Sequence, residues 1–490
     1  MNEAVRALEP SSLWNHFADL NAVPRASKKE AAVIAFMQAF GEKLGLPVDT
    51  DASGNVVMRK PASPGYEDRP VVCLQSHLDM VHQKNAGTLF DFDTQGIDMF
   101  VEDDWVKAKG TTLGADNGIG VATIMALLAS TDIPHPPLEA LFTIDEETGM
   151  TGAFGLEPGR LQASILLNLD TEEDNELTIG CAGGIDVTAT GTYTPEALPA
   201  GHETFRIEIK GLTGGHSGMD IHRGRGNANL LMIRLLDAAM RHCGARLANF
   251  DGGSLRNAIP REAVALVTVE ASQAQHLNDI TTKVAAELHA EHAHTDPNLS
   301  VHCAAADAAE NMVPEAFSTL FVRLLSVCPN GIARMSPDIE GLVQTSNNVA
   351  RVWMRGGEYS IQCLTRSAVE SEKFDLARRI GNLFYALGAG VTEAGSYPGW
   401  TPKPEAGIVQ LMSSLYRELH HGEEAHVNAC HAGLECGILG RNYPGMEMIS
   451  FGPTIRGAHS PDERVSVSSV QKFWSFLLHT LRAIPAAAKH

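Results

Sequence analysis

A chain of 490 residues with 44% hydrophobic and 20% charged residues is globular and long enough for two domains. Its 59 acidic residues against 38 basic ones leave a net charge of −21, which repels nucleic-acid phosphates and anionic lipid and sets both aside as partners. No apolar run reaches the roughly 18 residues of a membrane span. The acidic opening MNEAVRALEPSSLW lacks the basic start and apolar stretch of a secretory signal, so a cytoplasmic protein is expected. The eight cysteines are scattered without a Cys-x-x-Cys pair and read as buried thiols in a reducing compartment.

In chain order, apolar runs predict strands over 70–76, 138–144 and 164–169 and a helix over 118–128. Short apolar strands alternating with helices predict an α/β layer with a largely parallel sheet, in which ligands gather at the carboxyl ends of strands. From about 188 to 401 the texture changes. Alternating strands at 205–210, 263–270 and 299–303 are interleaved with helices at 227–242 and 274–292. The order then recurs, with a helix at 314–327, strands at 349–354 and 359–364, and a helix at 373–387. This predicts two successive plait-like α+β units, a duplication with no visible sequence repeat. After Trp400-Thr-Pro-Lys-Pro the α/β character resumes, with a strand at 447–451 and a last helix at 469–483. The expectation is a catalytic domain in two pieces, 1–187 and 403–490, with residues 188–402 inserted as a lid that binds substrate.

Five places carry acids or histidines where strands end or loops tighten. His77-Leu-Asp79 follows the first strand, and i and i+2 face one side, so the pair can point together; a metal-bound imidazole passes its other N–H to such a carboxylate. Asp116 lies among glycines before an apolar helix, either as an ordinary N-cap or, with Asn117 capping instead, as a functional acid. Asp145-Glu146-Glu147 stand where another strand stops, and adjacent like charges of this kind need a cation or separation. Asp170 ends the strand at 164–169, and His459 follows the strand at 447–451.

His77-x-Asp79, Asp116-Asn-Gly, Asp145-Glu146-Glu147-Thr-Gly, Leu169-Asp170 and Gly457-Ala-His459-Ser-Pro-Asp-Glu together resemble the signature of the dinuclear zinc aminopeptidase-like family, which includes aminoacylases and carboxypeptidases. Gly214-Gly-His216-Ser-Gly, Arg256-Asn257-Ala-Ile-Pro, Thr345-Ser-Asn-Asn and His431-Ala-Gly-Leu-Glu-Cys-Gly are similar to its cytosolic non-specific dipeptidase branch, so the resemblance spans nearly the whole chain. It implies a two-domain zinc-exopeptidase fold, a mixed and mostly parallel sheet flanked by helices, with an inserted ferredoxin-like lid. It further implies two Zn²⁺, with Co²⁺ or Mn²⁺ as substitutes: His77 and Asp170 on one, Glu147 and His459 on the other, and Asp116 between them. Two such ions with three carboxylates and one bridging hydroxide are neutral in sum. Asp79 would orient His77, and Glu146 would be the general base. His216 would donate to the oxyanion, and Arg366 with Asn257 would take the substrate's carboxylate. The implied reaction is hydrolysis of unblocked dipeptides, Xaa-His among them, by a homodimer. In relatives with a small insert this histidine reaches across from a neighbouring subunit. A doubled insert allows His216 to act in cis, and the sequence leaves both arrangements open.

His420, His421, His426 and His431 read as helix-end and loop histidines, and Glu435 as a candidate contact for a substrate amine. The rival reactions are N-acyl-amino-acid hydrolysis on the same metal pair, separable by comparing free dipeptides with N-acetylated amino acids, and metal-dependent binding without catalysis. The last predicts a damaged ligand set or a missing base, and neither is seen.

Overall fold

The computed structural model describes residues 2–487. The chain forms two compact units: Met1–Gly180 with Trp400–Ala429 and Leu434–His490, and Cys181–Gly399 with Cys430–Gly433. The second unit starts so early because Gly183–Thr192 is one continuous strand paired along its whole length with Glu358–Ser367.

The first unit is built on a mixed eight-stranded sheet. Its spatial order is Val48–Thr50, Val56–Lys60, Leu138–Thr143, Val72–His77, Ile165–Asn168, Glu447–Ser450, Glu176–Cys181 and His426–Cys430. The four strands from Leu138–Thr143 to Glu447–Ser450 run parallel, while Val56–Lys60 and Glu176–Cys181 join them antiparallel. Val72–His77 and Leu138–Thr143 are buried at every residue, as unbroken apolar runs covered on both faces require. The helix Ala115–Ala129 packs closely on this sheet. A Cβ on Gly120 would lie 2.4 Å from the Ser76 hydroxyl and 2.8 Å from the Leu169 carbonyl, so only glycine fits there. Its other face meets Trp14 and Phe17 from the helix Ser11–Leu20 in a fully buried cluster. Because the four strands are parallel, the segments carrying His77, Glu146, Glu147 and Asp170 all leave the sheet at one edge.

The second unit holds one antiparallel sheet of nine strands. In order they are Ser300–Ala305, His202–Lys210, Ala263–Glu270, Arg246–Gly253, Val343–Arg355, Glu358–Ser367, Gly183–Thr192 and Gly390–Tyr397, with Gly331–Met335 added on Val343–Arg355. The first four strands with helices Ala228–Cys243 and Ala274–Glu291 make one βαββαβ plait. The next four with helices Glu315–Val327 and Glu370–Tyr385 make a second, and the two join through Phe250↔Met354 and its neighbours. Two ferredoxin-like plaits are therefore present, but they are nested rather than successive. The second plait opens with Gly183–Thr192, and the first is inserted after it. Periodicity shows that a segment is a strand and not which strand it pairs with. The helices bury apolar stripes on the sheet, Met232, Ile233, Leu235, Leu236 and Ala239 for the first, each large side chain contributing about 1.5–3 kcal/mol. Asn227 caps that helix by accepting from the N–H groups of Asn229 and Leu230.

Candidate metal centre

His77 ends its strand and is 1% exposed. Its Nδ1 faces Asp79, 3.0 Å from the main-chain oxygen and 3.3 Å from Oδ1, which leaves Nε2 to point at Asp116 Oδ1 (3.1 Å) and Asp170 Oδ1 (3.5 Å). Asp79 is wholly buried. It accepts from Ser27 Oγ (2.8 Å) and from the N–H groups of Glu146 (3.0 Å) and Glu147 (3.3 Å), so it also fixes the acidic turn.

That turn separates its three acids. Asp145 sits in the left-handed region at φ 57°, buried, and is held by Lys28, Thr148 and Thr151. Glu146 and Glu147 come together with His77. His459, also left-handed at φ 65°, places Nε2 3.2 Å from Asp116 Oδ2 and 3.0 Å from Glu147 Oε2. Asp116 thus offers one carboxylate oxygen to each imidazole. It does not cap the helix, and Asn117 does not either. Both residues lie in non-helical backbone at a kink in the first turn, but the Asp116 oxygens face the imidazoles, Asn117 Oδ1 has no hydrogen-bond partner among the described residues, and the Asn117 amide donates to the Leu169 carbonyl at 2.6 Å, beside Asp170.

Three overlapping clusters result: His77, Asp116 and Asp170; Asp116, Glu147 and His459; and His77, Glu146 and Glu147, each with its donor atoms within 4.8 Å of one another. Glu147 Oε1 and Asp170 Oδ1 are buried with no hydrogen-bond partner among the described residues. Buried acceptors converging without donors suit a cation. Imidazole and carboxylate donors suit zinc, and also cobalt or manganese. With protons alone to balance it, the cluster charges its imidazoles. Hydrogen bonds donated by the His459 ring to the carboxylates of Asp116 and Glu147 push its pKa up to about 11. Burial pulls His77 down, but Asp170, Asp116 and Asp79 outweigh it and hold it well above its usual value. Burial pushes Asp170 up to about 6 and Glu146 well above the carboxylate range. A divalent ion would displace those protons.

One rung below the ligands runs a buried polar chain. Glu435 Oε2 accepts from Gln75 (2.7 Å) and Thr143 (2.6 Å), and Gln75 Oε1 accepts from Asn168. Glu435 Oε1 has no hydrogen-bond partner among the described residues, and burial raises this carboxyl to about 7.

Within the second unit, His216 lies in a loop set by glycine. Gly215 has φ 137°, and a Cβ there would strike Arg225 Nη1 at 2.3 Å. His216 Nδ1 accepts from the N–H groups of Gly218 (3.2 Å) and Met219 (3.0 Å), so its proton is on Nε2. Burial, then Arg366, lowers its pKa and keeps the ring neutral. Asn257 is held by its backbone: its carbonyl accepts from Ser217 N (2.8 Å), and Asn348 Nδ2 bonds the carbonyls of Arg256 and Ala258 on either side. Arg366 is 4% exposed, donates to Tyr397 Oη at 2.7 Å and leaves Nε without a partner among the described residues. His431, read from sequence as a loop histidine, is buried and bonded to Ser346 Oγ at 2.7 Å.

The model of peptidase family M20/M25/M40 matches residues 73–483. The chain belongs to that family. It is a hydrolase of peptide bonds, and its centre is a divalent-metal site. This M20 peptidase is 43% identical to the cytosol non-specific dipeptidase of Escherichia coli over 480 residues, covering 98% of this chain and 99% of the other. Its fold matches the crystal structure of the aminoacylhistidine dipeptidase from Vibrio alginolyticus with a TM-score of 0.93 at 42% identity, covering both chains fully. A tripeptidase from Staphylococcus aureus, 16% identical with 97% of this chain and 99% of that one covered, shares the fold with a TM-score of 0.56.

Sequence reasoning passed over three polar groups of this M20 peptidase. Tyr397 belongs to no motif, Ser346 lies inside Thr345-Ser-Asn-Asn with no role assigned to it, and Arg25, fully buried beside the Asp79 and Gly114 carbonyls, is one basic residue among 38. Only contact across the fold distinguishes them.

Proposed function

We propose that this peptidase is a cytoplasmic dipeptidase that cleaves unblocked dipeptides, Xaa-His among them, with two Zn²⁺ held by His77 and Asp170, by Glu147 and His459, and by Asp116 between them. The observation that carries the reading is Asp116, one oxygen toward each imidazole, beside buried acceptors on Glu147 and Asp170 that no described protein group satisfies. Ions so held supply Lewis acidity and lower the pKa of water. Asp79 keeps Nδ1 of His77 occupied, so that Nε2 is the ligand atom. Glu146, not needed as a ligand, takes the proton of the attacking water and returns it to the leaving amine. His216, neutral and protonated on Nε2, is a donor suited to a developing oxyanion. The Arg366 fork takes the substrate's terminal carboxylate, assisted by Asn257. Glu435, with one oxygen unmatched, takes the free ammonium, which an N-acylated amino acid lacks. A homodimer in the cytoplasm belongs to the same proposal. The cytoplasmic address is supported by the relative named for the cytosol; no described helix is long and apolar enough to cross a membrane.

Glu146→Gln tests the mechanism. It should keep its metal by elemental analysis while turnover of free dipeptides falls about 10²- to 10⁴-fold. Near-normal turnover removes Glu146 from the reaction. Faster hydrolysis of N-acetylated amino acids than of dipeptides by the unmodified enzyme overturns the substrate assignment.

A further inference from the structure

Glu463 stands four residues beyond His459 and is 3% exposed. Its two oxygens accept four consecutive main-chain N–H groups: Leu113 (2.7 Å) and Gly114 (2.9 Å) on Oε2, Ala115 (2.7 Å) and Asp116 (3.2 Å) on Oε1. Four adjacent donors aimed at one point need an acceptor with two oxygens and no hydrogen. A carboxylate meets that need, whereas an amide would turn its own N–H groups on two of the donors. Isolating such a charge from water is unfavourable, and burial indeed pushes its pKa up against those N–H groups. A buried cation accompanies it. The Arg25 guanidinium, with Glu463 as its foremost favourable charge, donates through Nη1 to the carbonyls of Leu78 (3.1 Å) and Asp79 (3.3 Å). Through Nη2 it reaches the carbonyl of Gly114 (2.6 Å) and Asn21 Oδ1 (2.9 Å).

The pair therefore ties three segments far apart in sequence: the end of the His77 strand, the 113–116 loop and the 457–463 loop. The last is a hairpin loop between Ile455–Arg456 and Arg464–Ser466, with Gly457 and His459 both left-handed. No helix or strand fixes its shape. Glu463 pins it directly to the N–H of Asp116, the residue that His459 faces at 3.2 Å. Metal–ligand distances tolerate only about 0.2 Å, so small slippage between these loops is felt at the centre.

We propose that Glu463 and Arg25 are positioning residues that form a clasp: Glu463 sets the separation of Asp116 from His459, and Arg25 sets that of Asp116 from His77. This rests on reading those three residues as ligands of a shared pair of cations. Neither residue touches substrate or metal; both act through the loops.

The test is titration of the chelator-stripped full-length enzyme with Co²⁺, followed by visible absorption and calorimetry, well below the melting transition. A His459→Ala control identifies the ion on that side. Glu463→Gln should weaken the His459-side ion about 10- to 100-fold and alter its absorption band, leaving the His77-side ion little changed. Arg25→Lys, a point charge in place of a fork, should show the opposite bias. Two ions bound by Glu463→Gln with unmodified affinity and spectrum would overturn the clasp. So would equal weakening of both ions, which marks a residue that holds only the fold. If Glu463→Gln does not fold, Glu463→Asp keeps two oxygens drawn back by one methylene, and the same two results in that variant overturn the clasp. An unmodified enzyme that takes up no pair of ions overturns the ligand reading itself, and the clasp with it, a result distinct from failure of the variant alone.

Discussion

Replacing Asp79 by Asn changes no volume, and its consequence can be worked from the contacts. Oδ1 faces His77 Nδ1 and accepts from Glu146 N; Oδ2 accepts from Ser27 Oγ and, at a long 3.3 Å, from Glu147 N. The new amide has one oxygen. Placed at Oδ1, that oxygen keeps His77 and Glu146 while its NH₂ faces a serine hydroxyl that can rotate to accept. Only the long bond to Glu147 is lost outright. What else disappears is charge: bonds to an ionised acceptor contribute about 1.5–3 kcal/mol against about 0.5–1.5 for neutral ones. For His77 and Glu146 together this amounts to about 2–3 kcal/mol, or about 30- to 150-fold. Affinity for the His77-side ion and kcat/KM should both fall within that range while the Glu147 side holds. Calorimetric metal titration beside steady-state dipeptide hydrolysis measures both. A loss far beyond that range with metal fully bound would mean that Asp79 takes part in proton transfer, and unchanged values would mean that the His77–Asp79 contact is idle.

The remaining expectations concern other groups. Arg366→Lys should raise KM for free dipeptides about 10-fold or more, because an ammonium cannot form the paired contact, with little further effect on C-terminally amidated dipeptides; an equal loss on both places Arg366 elsewhere. Chelation should abolish activity and lower Tm, since the acidic cluster then lacks its cation, and Zn²⁺ should restore both; a Tm indifferent to chelator argues against a buried metal pair. His431 is held down to about 3, first by burial and next by Arg366, with His216 and His222 adding to it. The folded ring stays neutral where the unfolded one, near 6.5, takes a proton. Its contribution is therefore complete above about pH 6.5 and is lost as pH falls toward 3, with a slope of at most about 1.4 kcal/mol per pH unit. Denaturant melts of His431→Gln between pH 6.5 and 5 should be flatter by that slope, and parallel pH profiles would refute it.

The sequence alone determined the local pieces. Unbroken apolar runs announce buried parallel strands, period-two alternation announces the half-exposed strands after 200, and acids and histidines at strand ends mark where the parallel sheet must present its chemistry. It also supported the family resemblance and with it the fold class, because motifs are strings of neighbours. Tertiary structure decided what depends on pairing at a distance. It showed that Gly183–Thr192 completes the second plait instead of preceding both, that Asn117 reaches the Leu169 carbonyl instead of capping, and that Asp145 turns to Lys28 while Glu147 faces His459. It also revealed that Glu463 gathers N–H groups some 350 positions away. Periodicity encodes which side of an element is apolar. It carries no information on which element, or which loop, lies opposite, and in this protein the contacts of Asp116 with His77 and His459, and of Glu147 with His459, all cross such a gap, whereas the local His77–Asp79 pair does not.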